Sequence, residues 1–215
     1  MSLAVLRPDF SLLPRRGLCA LIPIKARAHC KTRLTAVLSS AARLQLVRSM
    51  LDAVVRAAAM AKSVQQIIVV SPERDRIPLH IPVLADTGED LNGALVQAHA
   101  MLRGLGATDV VILPADLPNV RAAEIDSLVH AARTGGFAIA SDTAGIGTNA
   151  LCLTAAVPFR FQFGPLSRRA HLEEARRHGL GTQVIRHSGL AFDVDSPADL
   201  DLLEELSCAR KDLRA

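Results

Sequence analysis

Apolar positions along this chain follow two alternating patterns, short unbroken runs and stripes that recur every three or four residues. The runs Leu18 to Ile24, Gln66 to Val70, Pro82 to Ala85, Val110 to Leu113, Phe137 to Ala140, Thr182 to Arg186 and Ala191 to Asp195 read as strands, most of them buried on both faces. Ala150 to Leu153 is a further apolar segment. Between them lie helical stripes. Leu44, Val47, Leu51, Val54, Val55 and Ala58 share one face of a long helix that Ser39 caps and that ends near Lys62. Leu91, Leu95, Ala98, Met101 and Leu102 mark a second helix, and Ile125, Leu128, Val129 and Ala132 a third over Arg121 to Arg133. A fourth runs from Ser167 to near Gly179, and Ser196-Pro197-Ala198-Asp199 opens a fifth with a cap, a proline at the first position and an acid in the first turn. Strand and helix therefore alternate from about Leu18 onward, which predicts an α/β fold in one domain over 18–215 preceded by an irregular arm, 1–17.

Composition narrows the partners. Lys and Arg number 25 against 21 Asp and Glu, a formal charge of +4 that favours anionic ligands without a basic run to track a nucleic-acid backbone. Trp and Tyr are absent and only six Phe are present, too few for a platform on which bases stack, so no nucleic-acid partner is expected. Cys19, Cys30, Cys152 and Cys208 are far apart and suggest reduced thiols, neither zinc site nor disulfide framework. Arg7, Pro8 and Asp9 interrupt the first residues, and no apolar stretch has membrane length, so a cytoplasmic protein without a membrane partner is expected.

The chemistry gathers at the ends of the strands. Val110 to Leu113 runs into Pro114-Ala115-Asp116-Leu117-Pro118, where two prolines restrict the backbone around one carboxylate. Asp116 is either a ligand held at the carboxyl end of a central strand or a turn and cap residue for the helix that follows. Lys25, Arg27, Lys31 and Arg33 crowd the loop after the first strand, which either cradles phosphate or is simply solvated. Asn92, in the polar turn 88–93, either reads a base edge or caps the second helix. The loop 142–149 is an anion cradle or an ordinary turn, and the helix starting at Ser167 offers its amino terminus to an anion. Asp193 and Asp195 point to one face if the backbone there is extended, and two such acids repel unless a cation lies between them. Walker, dinucleotide-binding, His-Glu-x-x-His and nucleophile-elbow motifs are absent. Cations after the first strand and acids at two later strand ends together suit nucleotidyl transfer, in which magnesium is held by few carboxylates plus phosphate oxygens.

In these features the sequence resembles a known family. Ile22-Pro23-Ile24-Lys25 with Lys31-Thr32-Arg33-Leu34, Pro114-Ala115-Asp116-Leu117-Pro118, Gly147-Thr148, Phe163-Gly164-Pro165 with Ser167 and His171, and Asp193-Val194-Asp195-Ser196-Pro197-Ala198-Asp199-Leu200 are similar, in this order, to the 2-phospho-L-lactate or phosphoenolpyruvate guanylyltransferases of coenzyme F420 biosynthesis. Asp90 before Leu91-Asn92 and Leu166 before Ser167 stand where such proteins often carry glycine. The resemblance implies a single Rossmann-like nucleotidyltransferase domain of the glycosyltransferase A type, with a mixed, mostly parallel sheet flanked by helices. It implies transfer from GTP to a small phosphorylated carboxylic acid (2-phospholactate, phosphoenolpyruvate or phosphoglycerate) with release of pyrophosphate. Carried over by position, Asp116, Asp193 and Asp195 hold Mg2+, and Pro23, Lys25, Lys31, Arg33 and Asn92 bind the nucleotide. Thr148, Gly164 and Ser167 bind the phospho-acid, with Lys31 and Asp116 acting in catalysis. The resemblance also leaves room for a homo-oligomer and for hand-over of product to a downstream transferase. The competing readings are a sugar or molybdopterin nucleotidyltransferase on the same fold and a non-catalytic nucleotide-binding regulator.

Overall fold

The structure is a computed structural model that describes residues 17–26, 30–78, 80–86 and 90–212. The arm predicted over 1–17 lies outside the described residues except for Gly17, as does the 88–89 part of the polar turn. The strands are β1 (Leu18–Pro23), β2 (Gln66–Ser71), β3 (Val83–Ala85), β4 (Asp109–Ile112), β5 (Gly136–Ser141), β6 (Thr148–Thr154) and β7 (Gly181–Ile185). They form one sheet in the order β3-β2-β1-β4-β6-β5-β7. All neighbours pair in parallel except β6, which runs antiparallel to both β4 and β5. This is the mixed, mostly parallel sheet that the resemblance implies.

The helices are α1 (Ser40–Met60), α2 (Leu91–Gly104), α3 (Ala122–Gly135), α4 (Ser167–Arg177), the single turn α5 (Ser188–Ala191) and α6 (Pro197–Asp212). They cover both faces of the sheet because alternate residues of each central strand face opposite ways. In β1, Leu18, Ala20 and Ile22 pack with Val47, Met50 and Leu51 of α1 and Ile125, Leu128 and Val129 of α3. Cys19 and Leu21 point to the other face, where Leu95, Ala98 and Leu102 of α2 meet Phe159, Phe161 and Ala175. Helix starts follow local chemistry: the Ser39 hydroxyl accepts the Ala42 N–H at 3.2 Å, and Ser196 and Asp199 bond each other's backbone amides at the start of α6. Among the described residues no helix is long and apolar enough to cross a membrane.

One predicted strand is absent. Residues 192–195 are not a strand, and 188–191 form the turn α5. Both sides of β6 are already paired, so this segment finds no free ladder in the centre of the sheet. Side chains take its backbone groups instead. The buried Glu124 carboxylate accepts the Gly189 N–H at 3.0 Å, and the Asn149 amide donates to the Ala191 carbonyl at 2.9 Å. Gly189 comes so close to the 116–119 turn that a Cβ there would strike the Glu124 carboxylate and lie 2.5 Å from the Asn119 carbonyl.

Gly189→Ala should therefore destabilise the fold by roughly 1–3 kcal/mol, the usual cost of overpacking. Gly104→Ala, in α2 with nothing within 4 Å of the added methyl, should instead stabilise by about 0.5–1 kcal/mol. Paired denaturant melts check the contrast, and equal effects at the two glycines would remove the close approach as its cause.

Candidate active site

The carboxyl ends of β1 and β4, the start of β6 and the segment after α5 surround a cleft of about 410 Å³. Its lining includes Pro23, Lys25, Lys31, Asn92, Asp116, Thr148, Gly164, Asp193 and Asp195, so nine of the residues singled out from sequence share one hollow. Arg33 and Ser167 do not line it. The Arg33 side chain is 77% exposed and reaches Asp195 at 3.9 Å, whereas Ser167 is buried behind the wall.

Lys31 organises the acidic end. Leu34, fully buried, anchors the short 3-10 turn Thr32–Leu34, and Lys31 before it takes a left-handed backbone, φ 49° and ψ 45°. That geometry costs a non-glycine residue on the order of 1 kcal/mol. The strain is offset by what the side chain reaches: its Nζ donates to Asp116 Oδ2 at 2.8 Å and to Asp195 Oδ1 at 2.7 Å. Burial alone would lower the Lys31 pKa, but the two carboxylates more than reverse this and raise it. Burial pushes Asp195 the other way from its partner, and Lys31, helped by Arg33 and Lys25, holds the carboxyl below its ordinary value. No cation is among the main influences on Asp193. Burial, together with the charges of Asp116 and Asp195, raises its pKa although the Asn149 amide donates to it at 3.0 Å.

One oxygen from each of Asp116, Asp193 and Asp195 lies within 4.8 Å of the others. An all-oxygen set of carboxylates suits a hard divalent cation, and an ammonium already bridges two of the three, so the residues fit a Mg2+-type ion. Asp116 does not cap α3: there the Glu124 carboxylate accepts the Arg121 N–H.

Thr148, Phe163 and Gly164 also line the cleft. Asn92 neither caps α2, which Asp90 does by accepting the Gly93 N–H at 2.8 Å, nor points freely into the hollow. Its amide grips Phe163 on both sides, accepting the N–H at 2.7 Å and donating to the carbonyl at 3.0 Å. The first amides of α4 are not open to an anion either. Ser167 N–H donates to Gly164 O, Arg168 N–H to Ile146 O and Arg169 N–H to Leu166 O, all at 3.1–3.2 Å. In the loop 142–147 the Asp142 carboxylate accepts the Ile146 N–H at 2.8 Å. Gly164, at φ 137°, has nothing within 4 Å of where a Cβ would stand, so the chain leaves open space there. Met50 and Val47 of α1, with Leu91, give the cleft an apolar wall.

Glu124, Asn149 and the internal bonds of His171 escaped the sequence reading. Asn149 was legible only as the last residue of a turn, and nothing local marks Glu124 as more than a first-turn acid.

At neutral pH without added metal, Asp193→Asn should melt at an equal or higher temperature, because it removes a repelled charge and keeps an oxygen for Asn149. The raised pKa of Asp193 means its ionisation weakens the fold as pH rises, so the advantage should vanish in acid, where Asp193 is protonated. Asp195→Asn should melt lower, since Lys31 loses a partner. Melting curves across pH give both signs, and like shifts in the two variants would contradict the asymmetry.

The family described as "Guanylyl transferase CofC like" matches residues 18–207. A phosphoenolpyruvate guanylyltransferase of Rubrobacter xylanophilus is 38% identical over 191 residues, 86% of this chain and 92% of that protein. A 2-phospho-L-lactate guanylyltransferase of Methanothermobacter thermautotrophicus is 35% identical over 85% of this chain and 82% of its own length. A 3-phospho-D-glycerate guanylyltransferase of Phenylobacterium zucineum is 33% identical, covering 89% and 92%. Among solved structures, a protein of Desulfovibrio desulfuricans described as a nucleotide-diphospho-sugar transferase superposes with a TM-score of 0.71 at 19% identity, over 86% of this chain and 85% of that one. The sheet order, the cleft at its carboxyl edge and the similarity along nearly the whole chain agree: this protein belongs to the CofC-like guanylyltransferase family.

Proposed function

We propose that this enzyme transfers the guanylyl group of GTP to a small phosphorylated carboxylic acid, releasing pyrophosphate, as a step in coenzyme F420 biosynthesis. The observation that carries the reading is the convergence of Lys31, Asp116, Asp193 and Asp195 in a cleft that Thr148 and Gly164 also line. One sheet with a core on each face supports a single catalytic unit over 18–215. Asp116, Asp193 and Asp195 would hold Mg2+, which when bound supplies positive charge for the phosphates.

The acceptor's phosphate oxygen attacks the α-phosphorus of GTP, a new P–O bond forms, and the bond to the β-phosphate oxygen breaks with its electron pair leaving on pyrophosphate. A phosphate with a second pKa of about 6 is already ionised at neutral pH, so this step needs no general base. What it needs is screening between anions. Lys31 and Lys25 line the cleft and supply it, while Pro23 and Asn92 shape the nucleotide side. Thr148 and Gly164 meet the acceptor, with Ser167 packed behind them.

Incubation with GTP, Mg2+ and each of phosphoenolpyruvate, 2-phospholactate and 3-phosphoglycerate, followed by mass analysis, should reveal a guanylated acid and less pyrophosphate with ATP. Equal or faster release from ATP would remove the guanylyl assignment. Lys31→Ala should cut turnover by on the order of 100-fold. It should also lower the metal-free melting temperature by depriving Asp116 and Asp195 of the ammonium they share, and added Mg2+ should recover most of that loss. A variant that is fully active, or that melts as the parent does, would return Lys31 to a solvated loop.

A further inference from the structure

His171 lies wholly inside the protein, one helical turn beyond Ser167 on α4, and both of its ring nitrogens are engaged. Nδ1 is 3.0 Å from the Thr148 hydroxyl oxygen, and Nε2 is 2.8 Å from the backbone nitrogen of Gln162. A backbone N–H can only donate, so Nε2 must be the bare, accepting nitrogen. Burial lowers the pKa of this ring to about 4, so it is neutral at physiological pH and carries its one proton on Nδ1. The Nδ1–H then donates to Thr148, and the threonine oxygen acts as acceptor in that bond. Its own hydroxyl hydrogen is left to point elsewhere, and Thr148 lines the cleft.

The neighbours keep the ring in this orientation. Phe163 meets it edge to face with centroids 4.8 Å apart, and Phe159 lies at 6.1 Å. Phe163 is itself gripped by Asn92 through both backbone groups. The strand of chain from Gln162 to Gly164 is thus fastened at two consecutive residues, by His171 and by Asn92, just before the open space beside Gly164.

We propose that His171 is a positioning residue for the acceptor: the Gln162 N–H fixes its tautomer, the tautomer makes the Thr148 oxygen accept from His171 and so leaves the hydroxyl proton free to donate, and that proton is aimed at an anionic oxygen of the phospho-acid. This rests on the guanylyl-transfer reading for the identity of the ligand, but the tautomer does not. An anion accepts hydrogen bonds and cannot donate them, so a threonine whose hydroxyl is turned outward discriminates in favour of a carboxylate or phosphate oxygen. His171 never touches substrate in this arrangement. It acts through Thr148 and through the backbone of Gln162.

Two variants separate the functions of the two nitrogens. In His171→Asn the side-chain amide can stand where Nδ1–H does and still donate to Thr148, whereas in His171→Gln the longer side chain reaches the Nε2 position and supports Gln162 but not Thr148. His171→Gln should raise the KM for the acceptor about tenfold, as expected for a lost charge-assisted hydrogen bond, with the KM for GTP unchanged. His171→Asn should stay closer to the parent. Adding Thr148→Val to His171→Gln should change the acceptor KM little, because the two act in series, while Thr148→Val alone should raise it as His171→Gln does. Equal damage from Asn and Gln, or a GTP KM that rises in step with the acceptor's, would overturn the proposal. Long-range 15N–1H NMR of the unaltered protein reads the tautomer directly even if a variant fails to fold. Protonated Nδ1 with bare Nε2 is expected, and the reverse would sink the inference. Should the unaltered enzyme make no guanylated acid, the substrate assignment falls, while the NMR result still decides the hydrogen-bond chain.

Discussion

One ammonium group ties together parts of the chain that are 85 and 164 residues apart. Lys31 bonds Asp116 at the end of β4 and Asp195 beyond α5, and it does so from the loop that follows β1. Two carboxylates facing each other in a half-buried cleft repel, and a lone buried ammonium is costly to desolvate. Each cost is removed by the other group, which is why a residue in a left-handed backbone conformation can be held in that place. A divalent cation held by these acids would compete with Lys31 for the same oxygens.

The support for this cluster is polar and buried. Glu124 accepts from the backbone of Arg121 and Gly189, so the start of α3 and the turn α5 are fixed to one carboxylate. Asn149 joins the first residues of β6 to Ala191 and Asp193. Such struts are specific because a half-satisfied buried group is expensive, and a small displacement of the segment breaks several bonds together. Asn92 and His171 do the same for the loop around Phe163. The two groups of contacts differ in kind: charges face each other around Lys31, while a neutral ring and an amide hold the loop around Phe163.

The pattern of apolar residues by itself determined most of the secondary structure and the α/β class, because buried parallel strands and amphipathic helices leave period-specific traces in a local window. The cap at Ser39 and the Ser196-Pro197 helix start were equally local, and both are present. Asp116, Asp193 and Asp195 stood out because each lies where an apolar run meets a turn, and the structure gathers them. What only the tertiary structure decided is who partners whom. The strand expected over 191–195 is missing, and the Asn149 side chain rather than a neighbouring strand takes the Ala191 carbonyl, a choice made by distant partners and not by those five residues. Asn92 grips a loop 71 residues away instead of capping its own helix, and the α4 amides that looked open to an anion are occupied by Gly164, Ile146 and Leu166 carbonyls. Hydrogen bonds and ion pairs act over about 3 Å of space and take no account of sequence separation, so a local pattern can name the groups that need partners but leaves the choice among them to packing.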